Sequence, residues 1–476
     1  MNPTSLPRII GPWMAGAVVV GTVIGSGVFK KGRNVAEQCP EFALAISVWV
    51  VVGLLSLMGA LAIAEVAVRL PKAGGNYAFL RDAYGRWAGF LWGWVDFGII
   101  RTSSIGVLSV MFVESLSDVL VLVNGQGLDR LVRVAGSLAV IAGLTLVNIR
   151  GTRIGGGLQM FLTILKVGSI LALMALPFAV FLFPPATEHR PSLSNFPPIW
   201  PDITAIDWSK YGIAVVGVLW AYHGWLNITP IAEEVKEPQR NIPRALLGGM
   251  FVLIFLYVGA NVAYYSAVTG AEMAAKTGGS LSSTPLSTEF CARLLGSAGV
   301  IVASLILMTS VFGSLNGNIL VAPRLLYAMS DDGLSPKTLR EVHARYLTPA
   351  KAMLVFSGWS MLLVVVAEVA KELKVIDPGK SVFDILTDYC VVGGIMFETL
   401  GVASIFVLRR IQRDRTASLP YRCPGYPVVP AIYILFMAAV LANMFIGTSQ
   451  RTEAIVGSCY AALGACVYFL FLRRRG

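Results

Sequence analysis

Residues 17–29 read AVVVGTVIGSGVF, an apolar stretch that carries the helix-breaking triplet Gly25-Ser26-Gly27. Residues 217–230 read GVLWAYHGWLNITP and also combine apolar side chains with helix breakers. Unpaired backbone groups cost several kcal/mol each in hydrocarbon, so a broken membrane helix persists only where the break lines a site. Two such breaks at matching places in two halves of a chain indicate the substrate site of a secondary transporter.

The composition is that of an integral membrane protein. Of the 476 residues, 56% are hydrophobic and 14% are charged, and the mean hydropathy is +0.71. Soluble domains carry about 25% charged residues. Twelve apolar runs are long enough to cross a bilayer, so we expect an all-α integral membrane fold with twelve transmembrane helices. In chain order, spans 1 to 12 lie at about 9–30, 43–68, 88–122, 132–148, 155–182, 211–230, 244–268, 297–328, 350–370, 382–408, 428–447 and 454–472.

Basic residues set the predicted orientation. An even number of spans puts both termini on the same side. Assigning the termini to the cytoplasm places most of the 38 Lys and Arg residues on inner segments, as the positive-inside rule requires. The net charge of +11 therefore reflects orientation against anionic lipid rather than binding to nucleic acid. We expect a multi-pass protein of the plasma (inner) membrane with both termini cytoplasmic.

The spans group as five, five and two. Spans 1 and 6 each open a five-span half with a break, which is what an inverted repeat requires; the pseudo-symmetry is inferred from these breaks alone. The expected transport core is residues 1–410, with repeat one at about 9–182 and repeat two at about 211–408. Residues 411–476 would hold two additional transmembrane helices and a basic cytoplasmic tail.

Four motifs in consistent order carry a resemblance to a known family. They are GTVIGSGVF at 21–29, EVAVRLPKAGGNY at 65–77, WAYHGW at 220–225 with EEVKEPQRNIPRA at 233–245, and FGSLNG at 312–317 with RLLY at 324–327. From about residue 10 to 410 the chain resembles transporters of the amino acid–polyamine–organocation (APC) superfamily, and in particular a prokaryotic member of the L-type amino acid transporter branch.

The first break predicts a carboxylate site. Gly25, Ser26 and Gly27 let the helix unwind and start again. A restarted helix offers free N–H groups and the positive end of its dipole, which together suit an anion. The alternative is a small-residue packing face between helices, since Gly21 and Gly25 also fit the G-x-x-x-G pattern. Both roles can hold at once.

The second break predicts the complementary amine site. Where a helix stops, its free carbonyl groups carry negative partial charge and suit an α-ammonium group. The resemblance implies the same division, with Ser26 and Gly27 for the carboxylate and the carbonyls of Val23, Trp220 and His223 for the amine. Trp220 would also lie across the substrate as an aromatic gate; the alternative is a packing or interfacial tryptophan. The predicted substrate-binding residues are Val23, Gly25, Ser26, Gly27, Trp220, Ala221, His223, Gly224 and Ser314.

Three polar residues in the spans leave open questions. His223 departs from the L-type pattern, in which this position often holds a small or acidic residue, so the preferred substrate side chain stays open. Lys166 lies deep in span 5, an expensive place for an ammonium group, which predicts a function. The resemblance implies that it replaces the sodium ion of sodium-coupled relatives; alternatively, it carries a proton. Arg101 either lines the pathway or forms a structural ion pair.

Other classes of protein fit the sequence less well. The three histidines, His189, His223 and His343, form no H-E-x-x-H motif, and G-x-S-x-G is absent, so we expect no enzyme. The six cysteines show no metal spacing, and we expect neither a metal site nor a cofactor. A channel would carry a polar ring or a filter loop instead of two half-helix breaks. A major facilitator would carry a charged loop after span 2, where this chain has PKAGG at 71–75.

We therefore expect a sodium-independent amino acid transporter, an exchanger of neutral L-amino acids that works by alternating access. The alternatives are a proton-coupled amino acid or amine symporter of the same fold and, from a different class, a channel.

Animal L-type chains pair with a glycoprotein through a cysteine in the loop between spans 3 and 4. Here that loop, 123–130, reads VNGQGLDR, so we expect no disulfide-linked heavy subunit. The oligomeric state stays open.

Overall fold

The chain is a bundle of long helices joined by short loops. The computed structural model describes residues 6–183, 190–200, 202, 204, 206–275, 285–373, 382–413, 418–446 and 451–472. In that part of the chain the helices are α1 (Pro12–Val23), α2 (Gly27–Gln38), α3 (Phe42–Arg69), α4 (Asn76–Tyr84), α5 (Arg86–Val95), α6 (Arg101–Asn124), α7 (Arg130–Ile149), α8 (Thr152–Leu182), α9 (Trp208–Tyr222), α10 (Pro238–Ala267), α11 (Gly270–Ala275), α12 (Leu286–Leu295), α13 (Ser297–Val321), α14 (Pro323–Asp331), α15 (Ala350–Glu372), α16 (Val382–Ile411), α17 (Val428–Ile446) and α18 (Arg451–Val467).

Shorter helical segments complete the spans. Two π-helical turns, Asp96–Ile100 and Tyr468–Leu472, continue spans 3 and 12, and 3-10 helices cover Leu193–Asn195, Trp225–Glu234 and Lys337–Arg340. Span 1 consists of α1 and α2, span 3 of α5 and α6, span 6 of α9 and the 3-10 helix that begins at Trp225, and span 8 of α13 and α14. Spans 2, 4, 5, 7, 9, 10, 11 and 12 correspond to α3, α7, α8, α10, α15, α16, α17 and α18.

The all-α membrane fold is confirmed. Ten helices of the described residues are long and apolar enough to cross a membrane, and the pair α1 and α2, bent by 40°, makes eleven. Predicted span 6 is not among these helices, because α9 has only 15 residues and ends at Tyr222, which makes it too short to cross a membrane by itself. The count of twelve spans therefore stays a prediction. Large apolar side chains such as Phe178 (73% exposed) and Leu435 (71%) lie on the outside of the bundle, where lipid would cover them.

Helices from corresponding places in the two five-span halves pack against each other. α3 packs against α10, α6 against α13, and α7 against α15, which pairs spans 2 and 7, 3 and 8, and 4 and 9. α2 packs against α9, and α1 packs against the 3-10 helix that follows α9. An inverted repeat of two five-span halves would produce this pairing. The two broken spans lie side by side.

Buried or partly buried ion pairs lie at both ends of the broken spans. At one end, Arg33 of α2 donates to Glu289 of α12 at 2.7 Å, and Arg293 bridges Glu289 and Glu272. Burial opposes ionisation of Glu272, but hydrogen bonds from Arg293 and Thr269 lower the pKa of this carboxyl to about 2. At the other end, Arg324 donates to Glu234 at 2.8 Å, with both side chains fully buried.

Candidate functional site

The two helix breaks meet and open on one cavity. Thr22 at the end of α1 lies 3.4 Å (Oγ1 to O) from Gly224 in the second break. The cavity has a volume of about 40 Å³. It is lined by Thr22, Val23, Gly25, Ser26, Gly27, Ser104, Leu108, Trp220, His223, Gly224, Asn227, Ser314 and Asn318.

Most of the residues predicted to bind substrate line this cavity. Of the predicted substrate-binding residues, only Ala221 is absent from the lining. Lys166, which is predicted to replace a sodium ion, does not line the cavity either. Ala221 instead packs behind the first break: a Cβ atom built on Gly27 would lie 2.5 Å from the Cα of Ala221. The absence of a side chain at Gly27 therefore allows α2 and α9 to approach closely.

The first break exposes backbone donors to the cavity. Ile24 leaves the helical conformation with ψ 86°, and α2 restarts at Gly27. The amides of Phe29 and Lys30 donate to the carbonyl of Ser26 at 3.2 and 3.1 Å. The N–H groups of the three preceding residues, 26–28, find no acceptor among the described residues. Unpaired N–H groups at a helix N-terminus are the groups that bind a carboxylate.

The same segment also serves helix packing. Gly21 lies directly against Thr163 and Gln159 of α8, and a side chain there would clash with both. Thr163 donates its hydroxyl to the carbonyl of Ala17 at 3.0 Å. Gly21 therefore allows α8 to approach, as the packing interpretation of the first glycine motif expects, while Gly25 and Gly27 line the cavity. The carboxylate site stays a prediction.

The second break leaves carbonyl groups at the end of α9. His223 adopts φ −59° and ψ 142°, which ends the helix, and Gly224 follows with φ +103°, a conformation that favours glycine. The carbonyl of Trp220 accepts from the amide of His223 at 3.1 Å. This carbonyl and that of His223 lie at the C-terminal end of α9, where backbone acceptors are no longer used by the next helical turn.

Tyr257 of α10 joins the two breaks, and nothing in the sequence pointed to it. Its hydroxyl lies 3.0 Å from the carbonyl oxygen of Val23 and 3.0 Å from that of Ala221. Both carbonyls belong to the last turns of the interrupted helices α1 and α9. Tyr257 therefore holds the C-terminal ends of α1 and α9 together beside the cavity. The carbonyl oxygen of Val23 also accepts from the amide of Gly25 at 2.7 Å, so both of its lone pairs are used.

Lys166 lies behind the first break, fully buried. Its ammonium group donates to the carbonyl oxygens of Gly21 at 2.7 Å and Ile24 at 2.8 Å, and to the hydroxyl of Ser314 at 2.9 Å. Ser310 supplements these bonds by donating to Ile24 at 3.1 Å. An ammonium has three N–H donors, so all of them are used within the protein.

The side of the cavity formed by α9 carries two parallel rings. The rings of Trp220 and His223 are stacked with centroids 6.0 Å apart and an interplanar angle of 6°. Nδ1 of His223 lies 3.3 Å from Oε1 of Glu398 on α16. Together these side chains separate the cavity from span 10.

Arg101 forms an ion pair that depends on a local change of helix geometry. Its Nε lies 3.2 Å from Oδ1 of Asp96, five residues earlier. Residues five apart do not face each other on an α-helix, but the π-helical turn Asp96–Ile100 brings them onto one face. The structural role proposed for Arg101 is therefore present. Arg101 also lines a small second cavity beside His223.

Comparisons with known proteins agree with this geometry. The amino acid permease family matches residues 10–471. The serine/threonine exchanger SteT of Bacillus subtilis (strain 168) is 29% identical over 443 residues, which is 93% of this chain and 92% of the relative. The large neutral amino acids transporter small subunit 2 of Oryctolagus cuniculus is 30% identical over 473 residues, covering 98% and 81%. The b(0,+)-type amino acid transporter 1 of Mus musculus is 25% identical over 473 residues, covering 99% and 89%.

These matches run through both breaks, span almost the whole chain, and confirm the predicted resemblance. Broken spans that meet at a lined cavity in an all-α membrane bundle are the architecture expected of such a transporter. The chain belongs to the amino acid permease family, within the APC superfamily of membrane transporters.

Proposed function

We propose that the protein is a sodium-independent exchanger of neutral L-amino acids that works by alternating access. The observation that carries this proposal is the meeting of the two breaks at one cavity. Unpaired N–H groups at Ser26 and Gly27 lie on one side, and the end of α9 with its carbonyl groups lies on the other. A zwitterionic amino acid backbone needs both. Two of the relatives are named an exchanger and a neutral amino acid transporter.

In this proposal, the cavity binds the backbone carboxylate and ammonium groups of the amino acid. Ser26 and Gly27 bind the carboxylate through backbone N–H groups, and the carbonyls of Val23, Trp220 and His223 accept from the ammonium. Because the carbonyl of Val23 already accepts from Gly25 and Tyr257, the ammonium displaces one of these two donors there. The ring of Trp220 acts as the gate over the bound substrate. A simple amine leaves the N–H groups of the first break unpaired, so amines compete poorly; this favours an amino acid exchanger over an amine symporter.

Lys166 takes the place of a coupling sodium ion. Its ammonium is surrounded by two backbone carbonyls and one hydroxyl, the ligands that a sodium ion would use. Two unit charges about 4 Å apart repel by roughly 4 kcal/mol at an effective dielectric of 20. That is roughly a thousandfold in binding, enough to exclude sodium at ordinary concentrations.

Spans 1, 2, 6 and 7 would move as one bundle against a scaffold of spans 3, 4, 8 and 9. Tyr257 supports this grouping, because it joins the ends of α1 and α9 from span 7. We assign the transport core to residues 1–410, with repeat one at about 9–182 and repeat two at about 211–408. The pairwise packing of spans 2 and 7, 3 and 8, and 4 and 9 supports this division.

The remaining assignments concern location and partners. We place the protein in the plasma (inner) membrane with both termini in the cytoplasm, and we assign it no catalytic activity. It would work without a disulfide-linked heavy subunit. In the described part of the chain, Cys39, Cys291 and Cys423 are buried, and Cys459 and Cys466 lie on the outside of α18. The side chain of Cys390 lies outside the described residues.

A counterflow experiment tests the proposed function. Purified protein in proteoliposomes is preloaded with each of the twenty amino acids in turn, and uptake of a labelled neutral amino acid is followed. We expect uptake only when a neutral amino acid is inside, and equal rates when choline replaces external sodium. Uptake into empty vesicles at the same rate would contradict exchange, and strict sodium dependence would contradict the role of Lys166.

A further inference from the structure

Four titratable side chains from three spans form a buried cluster beside the cavity. Asp96 and Arg101 come from span 3, His223 from the break in span 6, and Glu398 from span 10. Asp96, Arg101 and Glu398 are 2, 6 and 8% exposed. Arg101 pairs with Asp96 at 3.2 Å, and His223 lies 3.3 Å from Glu398. In the proposed function, His223 contributes only its backbone carbonyl to substrate binding, so the side chains of this cluster have no role there.

The charges of this cluster do not balance. With both carboxyl groups ionised and His223 neutral, two carboxylates face one guanidinium and the cluster carries a net charge of −1. The other titratable groups on the two small cavities that Glu398 lines are the phenols of Tyr222 and Tyr433, which are neutral near pH 7. An uncompensated charge at membrane depth is costly. One added proton on the pair of His223 and Glu398 makes the cluster neutral.

We propose that amino acid binding takes up one proton at the pair of His223 and Glu398, which travels with the substrate in either direction. The proton is shared between Nδ1 of His223 and Oε1 of Glu398, so that either an imidazolium faces a carboxylate or a neutral imidazole faces a carboxylic acid. No bond other than the one to this proton forms or breaks. This proposal rests on the proposed function, since it assumes that an amino acid occupies the cavity.

Binding of the substrate and binding of the proton are coupled through the solvation of the cluster. His223 lines the substrate cavity, and its side chain is 21% exposed. An amino acid that fills the cavity displaces the water which stabilises a net negative charge on the cluster. Without that solvation, the charged form becomes more costly and the cluster binds a proton. The pair also joins span 6, which moves in the proposed cycle, to span 10, so movement of span 6 would separate the two groups and release the proton.

A second cavity offers a path from the pair toward the loop between spans 2 and 3. It has a volume of about 10 Å³, enough for a single water molecule, and is lined by Glu398, Arg101, Asn76 and Gly74 among others. Nη1 of Arg101 and Oδ1 of Asn76 are buried without a hydrogen-bond partner. One is a donor and the other an acceptor, the combination that a bridging water satisfies. The same cavity is lined by Gly74 of that loop and by Thr229 of the 3-10 helix in span 6.

Calorimetry of binding tests the proposal independently of transport. A neutral amino acid that counterflow identifies is titrated into purified protein at pH 7.5, in two buffers of different ionisation enthalpy. The difference between the two measured enthalpies gives the protons taken up per bound substrate. We expect about one proton for the wild type, and an affinity that weakens about tenfold per pH unit as the pH rises. We expect no proton uptake for Glu398→Gln.

Two further variants serve as controls for Glu398→Gln. Glu398→Asp retains a titratable carboxyl and is expected to retain proton uptake. Glu114→Gln removes a carboxyl from α6 that does not line the cavities of the cluster, and it is expected to behave as the wild type.

A binding enthalpy that is independent of the buffer in the wild type would overturn the proposal. So would equal proton uptake in the wild type and Glu398→Gln, which would place the proton elsewhere, for example on Lys166. If no amino acid bound to the wild type at any pH, the proposed function would fail, and this proposal with it.

Discussion

The ammonium nitrogen of Lys166 lies 2.8 Å from the carbonyl oxygen of Ile24, the residue at which the first helix of span 1 ends. A second bond, to Gly21 at 2.7 Å, reaches one turn back along the same helix. Lys166 thus satisfies two carbonyls near the break, and it ties span 5 to the segment that lines the cavity.

The first prediction is that Lys166→Met abolishes exchange without making it sodium-dependent. Methionine keeps most of the length of the lysine side chain but cannot donate to Gly21, Ile24 and Ser314. Exchange of a neutral amino acid is measured in sodium and in choline, with Lys210→Met as the control because Lys210 is exposed. Wild-type exchange rates in Lys166→Met would contradict the proposed role of the ammonium.

The second prediction is that Gly27→Val abolishes transport while expression stays largely intact. A Cβ atom at this position would lie 2.5 Å from the Cα and 2.6 Å from the Cβ of Ala221. The added side chain would therefore push α2 away from α9 and block approach to the N–H groups. Gly16→Val is the matched control, because a Cβ at Gly16 meets no atom within 4 Å. Normal uptake by Gly27→Val would remove the first break from the substrate site.

The third prediction concerns the substrate side chain. His223→Asp puts a second carboxylate beside Glu398 and makes the cluster more negative, so competition should shift toward lysine and arginine. Competition by neutral, acidic and basic amino acids is measured against a labelled neutral substrate. His343→Asp, a change of the same kind at an exposed histidine, is the control. An unchanged competition profile would place the side chain of His223 outside the substrate pocket.

The fourth prediction is that Tyr257→Phe slows exchange by loosening the link between the breaks. The substitution removes one hydroxyl that serves the carbonyls of Val23 and Ala221, and a typical hydrogen bond contributes about 1 kcal/mol. We expect an exchange rate lowered by roughly fivefold. Tyr264→Phe is a stringent control, because Tyr264 lies on the same helix, is fully buried, and has a hydroxyl with no hydrogen-bond partner. Equal effects of the two substitutions would argue against a specific role of Tyr257.

The fifth prediction is that the purified chain exchanges amino acids by itself. The loop between α6 and α7, which joins spans 3 and 4, contains no cysteine for a disulfide-linked subunit. Purified protein alone is compared with protein co-purified from cells that express a candidate glycoprotein subunit. Activity that appears only with the second chain would contradict this prediction.

Much of the site could be predicted from residues that are out of place in a membrane. Gly25, Ser26 and Gly27 interrupt an apolar run, and Lys166 puts an ammonium group at membrane depth. Both features cost free energy unless a site compensates for them, so a single sequence is enough to identify them. The structure brings them to the same break, with Lys166 behind the cavity rather than in its wall.

What the sequence alone determined was the class of fold, the places of the two breaks and the depth of Lys166, because hydropathy and helix breakers act locally. Only the tertiary structure decided which groups meet. The hydroxyl of Tyr257 contacts the carbonyl of Val23, which lies 234 residues away in the sequence. The sequence of an apolar helix does not indicate which neighbouring helix a tyrosine in it will face. The pair of His223 and Glu398 likewise exists only because spans 6 and 10 pack side by side. Such contacts depend on the relative position of helices that are far apart in the chain, which no local pattern of residues specifies.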